Sequence, residues 1–284
     1  MMPNLTRLNL GTLLFALLPL AGCERGLGGG AYTESDVTLI VSNSASEGAA
    51  VDASASDASN TVAGFGTVKG RIVVDGQTAT LAELLAKGAQ TKDPICSVNA
   101  IPDESLIVSA DGSLANAFIY LKKAPKGVEI PPVPSQSVLL DQKGCVFTPH
   151  ALVVQKGQTL RFMNSDPVGH NVHTNALQNS SINQNVDNTG LDKIYDQAES
   201  LPIQTVCDIH AWMVSYHLVV DHPWAAVTGP DGSFEIARVP AGKMEFIVWH
   251  EKVGYVERSL KVDVVPDQTV EVPVKVPAAK LAGK

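Results

Sequence analysis

Aromatic and charged residues are scarce in this chain, and no segment has the periodicity of a long helix. Aromatic side chains account for 5% of the 284 residues and charged ones for 18%, whereas there are 23 Gly and 17 Pro. This composition predicts an all-β protein built from short strands and tight turns. Lys and Arg number 21 against 29 Asp and Glu and form no cluster, so we expect no nucleic-acid partner.

Two further absences narrow the expected function. No pair of carboxylates and no nucleophile with a neighbouring base occurs at a spacing typical of enzymes, so we expect no catalytic activity. After residue 23 the chain has no apolar run of about 20 residues, the length that a membrane-spanning helix requires. We therefore expect a protein that does not cross a membrane.

The first residues have the features of an export signal. Arg7 precedes an apolar run at 8–20 that is too short to span a bilayer, and Leu-Ala-Gly-Cys follows at 20–23. This tetrapeptide resembles a bacterial lipobox, which implies a signal peptide at 1–22, lipidation of Cys23 and a lipid anchor on the extracytoplasmic side of a bacterial membrane. The alternative is an ordinary signal peptide with an incidental cysteine. Residues 23–66 are rich in small and acidic residues and predict a flexible tether.

The four cysteines divide into three groups. Cys23 is assigned to the lipid and Cys207 to the metal motif described below, which leaves Cys96 and Cys145. In an oxidising compartment a leftover pair most simply forms a disulfide. Two unpaired thiols remain the alternative, because the sequence does not show how far apart the two residues lie.

A short segment near residue 210 combines three soft or borderline metal ligands. Cys207, His210 and Met213 follow one another at the spacing C-x2-H-x2-M, and His170 and His173 follow a strand-like run upstream. One Cys, two His and a weak Met are the ligands of a mononuclear blue-copper site. Thiolate and thioether suit Cu(I) and imidazole suits both oxidation states, so such a site exchanges one electron with little rearrangement. A zinc site more often has paired cysteines or a second His close behind the first.

Residues 145–220 resemble a cupredoxin, and within that family an amicyanin. The resemblance depends on four stretches, which are Thr-Pro at 148–149, Gln-Lys-Gly-Gln-Thr at 155–159, His-Asn-Val-His at 170–173 and the short loop at 207–213. It implies one type 1 copper held by His170, Cys207, His210 and Met213. It also implies that the backbone N–H of Asn171 donates to the Cys207 sulfur, and that His210 is the ligand at the solvent edge through which electrons pass.

Three other residues near the motif have more than one interpretation. His173 is expected not to bind the metal, because amicyanins carry a similar histidine that does not. His150 is either a surface or core histidine or a secondary metal contact. Trp212 either forms an apolar patch where a redox partner docks or packs against the base of the loop. Ala211 stands where amicyanins usually have proline, which predicts a less rigid loop.

A second module flanks the metal motif on both sides. Gly-Thr-Val-Lys-Gly-Arg-Ile at 66–72, Val-Thr-Gly-Pro-Asp-Gly-Ser-Phe-Glu-Ile at 227–236 and Val-Pro-Ala-Gly-Lys at 239–243 resemble carboxypeptidase-regulatory-like, transthyretin-like or carbohydrate-binding-like sandwiches. We therefore expect 67–134 and 223–277 to build one small β-sandwich, with a cupredoxin Greek-key sandwich at 135–222 inserted into it and a tail at 278–284. Within the first part, Leu-Ala-Glu-Leu-Leu-Ala-Lys at 81–87 predicts one helical turn ended by Gly88.

The sequence thus predicts a tethered one-electron carrier that uses copper. Its expected partners are a redox protein, such as a c-type cytochrome or a dehydrogenase, and the membrane that holds its lipid. One alternative is a protein that binds or delivers copper without electron transfer. Another is a surface module that binds glycans or proteins and retains the cupredoxin fold only as structure.

Overall fold

The computed structural model describes residues 64–281, and their strands form two sandwiches. The one that we name the host sandwich has seven strands, β1 (Phe65–Asp75), β2 (Phe118–Leu121), β12 (Ala225–Val227), β13 (Ser233–Pro240), β14 (Gly242–His250), β15 (Gly254–Val264) and β16 (Thr269–Pro277). The one that we name the inserted sandwich has nine, β3 (Val138–Gln142), β4 (Phe147–Thr148), β5 (Ala151–Gln155), β6 (Thr159–Asn164), β7 (His170–Asn175), β8 (Asn183–Val186), β9 (Leu191–Ile194), β10 (Ile203–Val206) and β11 (Val214–Val220).

The host sandwich is assembled from both ends of the described chain. One of its sheets has the order β13-β1-β16 and the other β12-β2-β14-β15, and their side chains share one core. Strand β16 lies at an edge, which is where a strand tolerates the proline at position 273. The chain leaves this sandwich after β2 and returns to it at β12. The predicted fold class, two β-sandwiches with one inserted into the other, is confirmed.

Strand β2 explains how the two sandwiches are joined. All four of its side chains are buried, with Ile119 and Leu121 in the host core and Phe118 and Tyr120 in a separate apolar cluster. That second cluster also contains Leu218 from β11 of the inserted sandwich. The sheet of β2 is therefore covered on both faces, and a strand in that position is expected to be continuously apolar.

The inserted sandwich places the metal motif at one end of a sheet. Its two sheets have the orders β5-β11-β10-β7-β8 and β4-β3-β6-β9, around a core of their own. Strand β10 lies between β7 and β11, and Val206 is paired with both His173 and Val214. The start of β7 and the loop after β10 consequently meet at the same end of the sheet.

Residues 76–117 connect β1 to β2, and we name them the cap segment. Its regular structure is one 3₁₀ turn at Pro94–Ser97. The helical turn predicted at 81–87 is wrong, because Leu85 forms an isolated antiparallel bridge with Ile101. A seven-residue stretch is too short to be a stable helix by itself, and Leu85 instead packs against the core of the inserted sandwich.

Several predictions concern residues outside 64–281. The signal peptide, the lipidated Cys23, the tether as far as residue 63 and the last three residues of the tail lie outside the described residues and stay predictions. The predicted domain boundaries also stay predictions, although Phe65 and Gly66 lie in β1 and not in the tether. Among the described residues no helix is long and apolar enough to cross a membrane.

Candidate metal centre

The loop at 207–213 is a closed turn between two paired strands. Cys207 directly follows β10 and Met213 directly precedes β11. The N–H of Cys207 donates to the carbonyl of Met213 at 3.2 Å, and the N–H of Met213 donates to the carbonyl of His210 at 2.9 Å. These bonds fold the loop back on itself, so that Cys207 and His210 face the same interior space.

Three of the predicted ligands meet there as a compact triangle. Nδ1 of His170 lies 2.9 Å from Nδ1 of His210, and each of these nitrogens lies 4.0 Å from Sγ of Cys207. The three residues are 1%, 2% and 2% exposed. Metal–nitrogen and metal–sulfur bonds of about 2.0 and 2.3 Å span such separations, so a single ion fits between the three atoms.

The second nitrogen of each histidine is held by a carboxylate. Nε2 of His170 lies 3.0 Å from Oδ2 of Asp166, and Nε2 of His210 lies 3.0 Å from Oδ2 of Asp93. A carboxylate accepts the proton of Nε2 and leaves the lone pair of Nδ1 directed at the triangle. Two such lone pairs at 2.9 Å repel each other unless a cation or a proton lies between them, so the residues present fit a bound metal ion.

Burial favours the neutral form of His170. It lowers the pKa of His170 below the ordinary value of 6.5, and this effect exceeds the opposite one of the hydrogen bond to Asp166. A neutral imidazole is the form that binds metal. The Asp166 carboxylate is fixed in turn, because the backbone N–H groups of Gly144 and Cys145 donate to it at 2.6 and 2.7 Å.

Met213, the predicted weak ligand, is 1% exposed and belongs to the same buried cluster as Cys207. It occupies the last position of the loop, and its backbone carbonyl accepts from the N–H of Cys207. Its role as the axial ligand of copper stays a prediction.

Asn171 braces the metal loop through its side chain. Its Oδ1 accepts from the N–H of Asp208 at 2.7 Å, and its Nδ2 donates to the Asp208 carboxylate at 3.1 Å and to Asn183 at 2.7 Å. His173 also binds Asp208, at 3.0 Å, and its hydrogen bond is the main reason why the pKa of that carboxyl is lowered. The predicted bond from the Asn171 backbone to the sulfur of Cys207 stays a prediction.

His173, which is expected not to bind the metal, and His150, whose role the sequence leaves open, both lie outside the triangle. Nδ1 of His173 faces Asp208, and the side chain is 36% exposed. Nε2 of His150 contacts the carboxylate of Glu251, and its Nδ1 lies 3.6 Å from Oε2 of Glu104. His150 is therefore part of a cluster with two acids from the host sandwich and the cap segment.

Cys96 and Cys145 are joined by a disulfide, and Cys207 is the one free cysteine of the described residues. The disulfide ties the cap segment to the inserted sandwich next to the metal centre, because Sγ of Cys96 lies 3.8 Å from Nε2 of His210. His210, which was expected at the solvent edge, is covered by this segment. The expectation of an exposed His210 is wrong because it considers the inserted sandwich without the cap segment that covers it.

Asp166 and Asp93, which hold the Nε2 atoms of the two ligand histidines, are residues of the centre that the sequence does not single out. Asp166 has a local signal, since it stands four positions before His170. Asp93 has a more distant one, since it stands three positions before Cys96, whose expected partner Cys145 lies within the cupredoxin-like region. The predicted disulfide, followed to its neighbours, would have brought a carboxylate near the metal loop.

Trp212 is partly buried beside the centre. Its Nε1 donates to the carbonyl of Cys145 at 2.9 Å, and its ring lies 5.1 Å from that of His210. It lines a cavity of about 210 Å³ together with His150, Met213 and Glu251. Its role in docking a partner stays a prediction.

No protein-family model and no curated protein matches this chain. Parts of solved structures resemble parts of it. A copper-containing nitrite reductase from Thermus scotoductus is 18% identical over 34% of this chain, at a TM-score of 0.27, and the chain spans a quarter (25%) of that protein's length. A purple cupredoxin from Nitrosopumilus maritimus is 17% identical over 29% of this chain and 98% of its own, at a TM-score of 0.25. Amicyanin from Paracoccus versutus is 15% identical over 31% of this chain and 84% of its own, at a TM-score of 0.27. At these TM-scores the likenesses carry no functional argument. The functional argument depends instead on the side chains of the metal centre.

Proposed function

We propose that this chain is a type 1 copper protein that carries single electrons between extracytoplasmic redox partners, without turnover of a substrate. The observation that carries the proposal is the buried triangle of His170 Nδ1, His210 Nδ1 and Cys207 Sγ. One thiolate and two imidazoles suit copper in both oxidation states, and the adjacent Met213 supplies a weak fourth ligand.

The surroundings of the triangle also favour electron transfer. Both imidazoles are fixed by carboxylates, and the loop is closed by its own backbone bonds. A rigid centre changes little between oxidation states, and this lowers the barrier to electron exchange. The disulfide at Cys96 and Cys145 agrees with an oxidising compartment, and a lipid on Cys23 would hold the protein at a bacterial membrane. A c-type cytochrome or a dehydrogenase is the kind of redox partner that we propose.

Copper binding is tested by adding Cu(II) to the metal-free protein. We expect one equivalent to produce an intense blue thiolate-to-copper charge-transfer band and an EPR spectrum with narrow copper hyperfine splitting. Cys207→Ser should abolish the band, whereas His173→Gln, a histidine outside the triangle, should retain it. A colourless product with the unaltered protein would end the proposal.

A second candidate function is copper binding or delivery without electron transfer. It is favoured by one observation, which is that His210 is only 2% exposed and so offers a partner no direct contact with a ligand. Mixing the copper-loaded protein with a reduced c-type cytochrome in a stopped-flow instrument separates the two. Rapid bleaching of the blue band with oxidation of the haem supports the carrier, and release of copper without haem oxidation supports delivery.

A further inference from the structure

The cap segment of the host sandwich contacts the metal centre of the inserted sandwich directly. Oδ2 of Asp93 lies 3.0 Å from Nε2 of His210, although the two residues are 117 positions apart. Ile101 and Cys96 from the same segment belong to the buried cluster that contains Cys207 and Met213. One edge of the centre is thus built by a part of the chain that precedes the inserted sandwich.

Local bonds fix the position of Asp93. Its carbonyl accepts from the N–H of Cys96 at 3.0 Å and from the hydroxyl of Thr91 at 2.8 Å. The 3₁₀ turn begins at the next residue, Pro94, and the disulfide from Cys96 to Cys145 anchors that turn on the inserted sandwich. These bonds fix the backbone of Asp93, so its carboxylate is presented to His210 from a fixed point of the cap segment.

The two ligand histidines are oriented by equivalent contacts from different sources. Asp166 lies four residues before His170 and holds its Nε2 from within the inserted sandwich. His210 receives the corresponding carboxylate only from the cap segment. Without Asp93, the imidazole of His210 is free to carry its proton on either nitrogen and to rotate, and a proton on Nδ1 blocks the metal position.

We infer that Asp93 is a positioning residue of the metal centre, which fixes the tautomer and orientation of His210 and, with the cap segment, closes the centre to solvent. This inference depends on the proposed function in one respect, that the ligand is copper. It adds that the strands of the inserted sandwich do not form the complete site alone, because the cap segment supplies one part of it.

The first test uses metal-free protein, so that it does not depend on copper. Asp93→Ala removes the contact, and Glu83→Gln is the matched control because it changes an exposed acid of the same cap segment. Long-range ¹H–¹⁵N NMR reads the tautomer of His210, and diethyl pyrocarbonate with peptide mass mapping reads its accessibility. We expect Asp93→Ala to lower the population of His210 that carries its proton on Nε2 and to raise the modification rate of His210 at least tenfold. The exposed His173 should react equally in all variants.

The second test uses copper-loaded protein. Asp93→Asn keeps the shape and an acceptor oxygen but removes the negative charge, so it should retain the Nε2–H tautomer and raise the reduction potential of bound copper. If Asp93→Ala does not fold, the potential of Asp93→Asn still tests the inference. Unchanged tautomer and modification rate in Asp93→Ala, or an unchanged potential in Asp93→Asn, would overturn the inference.

The two proposals fail in different ways. If the unaltered protein does not bind copper but Asp93→Ala still frees His210, the proposed function is wrong and the positioning role stands. If the unaltered protein turns blue and the Asp93 variants match it in every readout, the positioning role is wrong and the proposed function stands.

Discussion

The ring of Tyr216 lies 5.4 Å from the ring of Trp249, and this contact crosses from the inserted sandwich to the host sandwich. Phe118 of the host sandwich also packs against Trp249, with ring centres 5.8 Å apart. Leu218 and Val220 complete the cluster from β11. The two sandwiches therefore share a buried apolar interface.

This interface predicts that the two sandwiches unfold together. Trp249 is 8% exposed, and replacing it with alanine leaves a large cavity, which should lower the free energy of unfolding by about 3 kcal/mol. Denaturant unfolding followed by both fluorescence and circular dichroism provides the measurement. Leu139→Ala, which truncates a side chain that is 51% exposed, should cost less than about 0.5 kcal/mol. Two separate transitions in the unaltered protein would contradict the prediction.

The disulfide should contribute strongly to stability and to the closure of the centre. It joins cysteines 49 positions apart, and closing a loop of that length stabilises a fold by about 4 kcal/mol in the chain-entropy model. The double variant Cys96→Ser with Cys145→Ser should lose most of this stabilisation, and its His210 should react faster with diethyl pyrocarbonate. Ser97→Ala, the matched control, removes only a hydroxyl bound to the Pro94 carbonyl and should cost about 1 kcal/mol. If His210 stays as protected as in the unaltered protein, the disulfide does not close the centre.

Buried histidines outside the metal centre predict a loss of stability in acid. Burial lowers the pKa of His217 to about 3 and that of His250 to about 4, from 6.5. Below pH 6.5 the unfolded chain therefore binds protons that the folded one does not, and stability present above that pH is lost as the pH falls towards these values. Each imidazole should cost roughly 2 kcal/mol between pH 6.5 and 5.

The matched variant for this pH dependence is His250→Asn. It keeps an acceptor near the position of Nδ1, which accepts from the N–H of Lys252 at 3.3 Å, but cannot titrate. Denaturant unfolding at pH 7 and pH 5 should show a fall in stability that is smaller by roughly 2 kcal/mol than in the unaltered protein. An equal fall in both proteins would show that His250 does not carry the effect.

The His150 cluster predicts unequal effects for its two acids. Glu251 has a side chain that is 11% exposed and contacts His150 directly, whereas that of Glu104 is 34% exposed and lies at 3.6 Å. Removing a buried charge partner is more costly than removing an exposed one. We expect Glu251→Gln to lower the free energy of unfolding by about 2 kcal/mol and Glu104→Gln by less than about 1 kcal/mol. The reverse order in thermal or denaturant unfolding would contradict this assignment.

Much of the fold could be predicted because its signals are local. Alternation in strands such as β13 and β16, and the ligand spacing at 207–213, depend on a few neighbouring residues. The ligand His170 could also be found, since it follows a strand-like run and is supported by the cupredoxin resemblance. Each of these features involves a single strand or a single turn, so it is visible in a short stretch of sequence.

Apart from Asp166, the features that were missed depend on long-range contacts. The stretch at 81–87 has helix-forming residues, but the pairing of Leu85 with Ile101 overrides that preference. Burial of His210 and the contact with Asp93 come from packing between segments 117 positions apart, and only the predicted disulfide indicates that these segments meet. The cupredoxin resemblance, taken alone, led to the opposite expectation of an exposed His210.

A copper ion in the triangle of His170, Cys207 and His210 would be located by a crystal structure of the copper-loaded protein, with anomalous diffraction recorded on both sides of the copper absorption edge. We expect a single anomalous peak within bonding distance of both Nδ1 atoms and of Cys207 Sγ, with Asp93 and Asp166 still on the Nε2 atoms. A peak at His173 and Asp208, at His150 and its two acids, or at no buried position would contradict it.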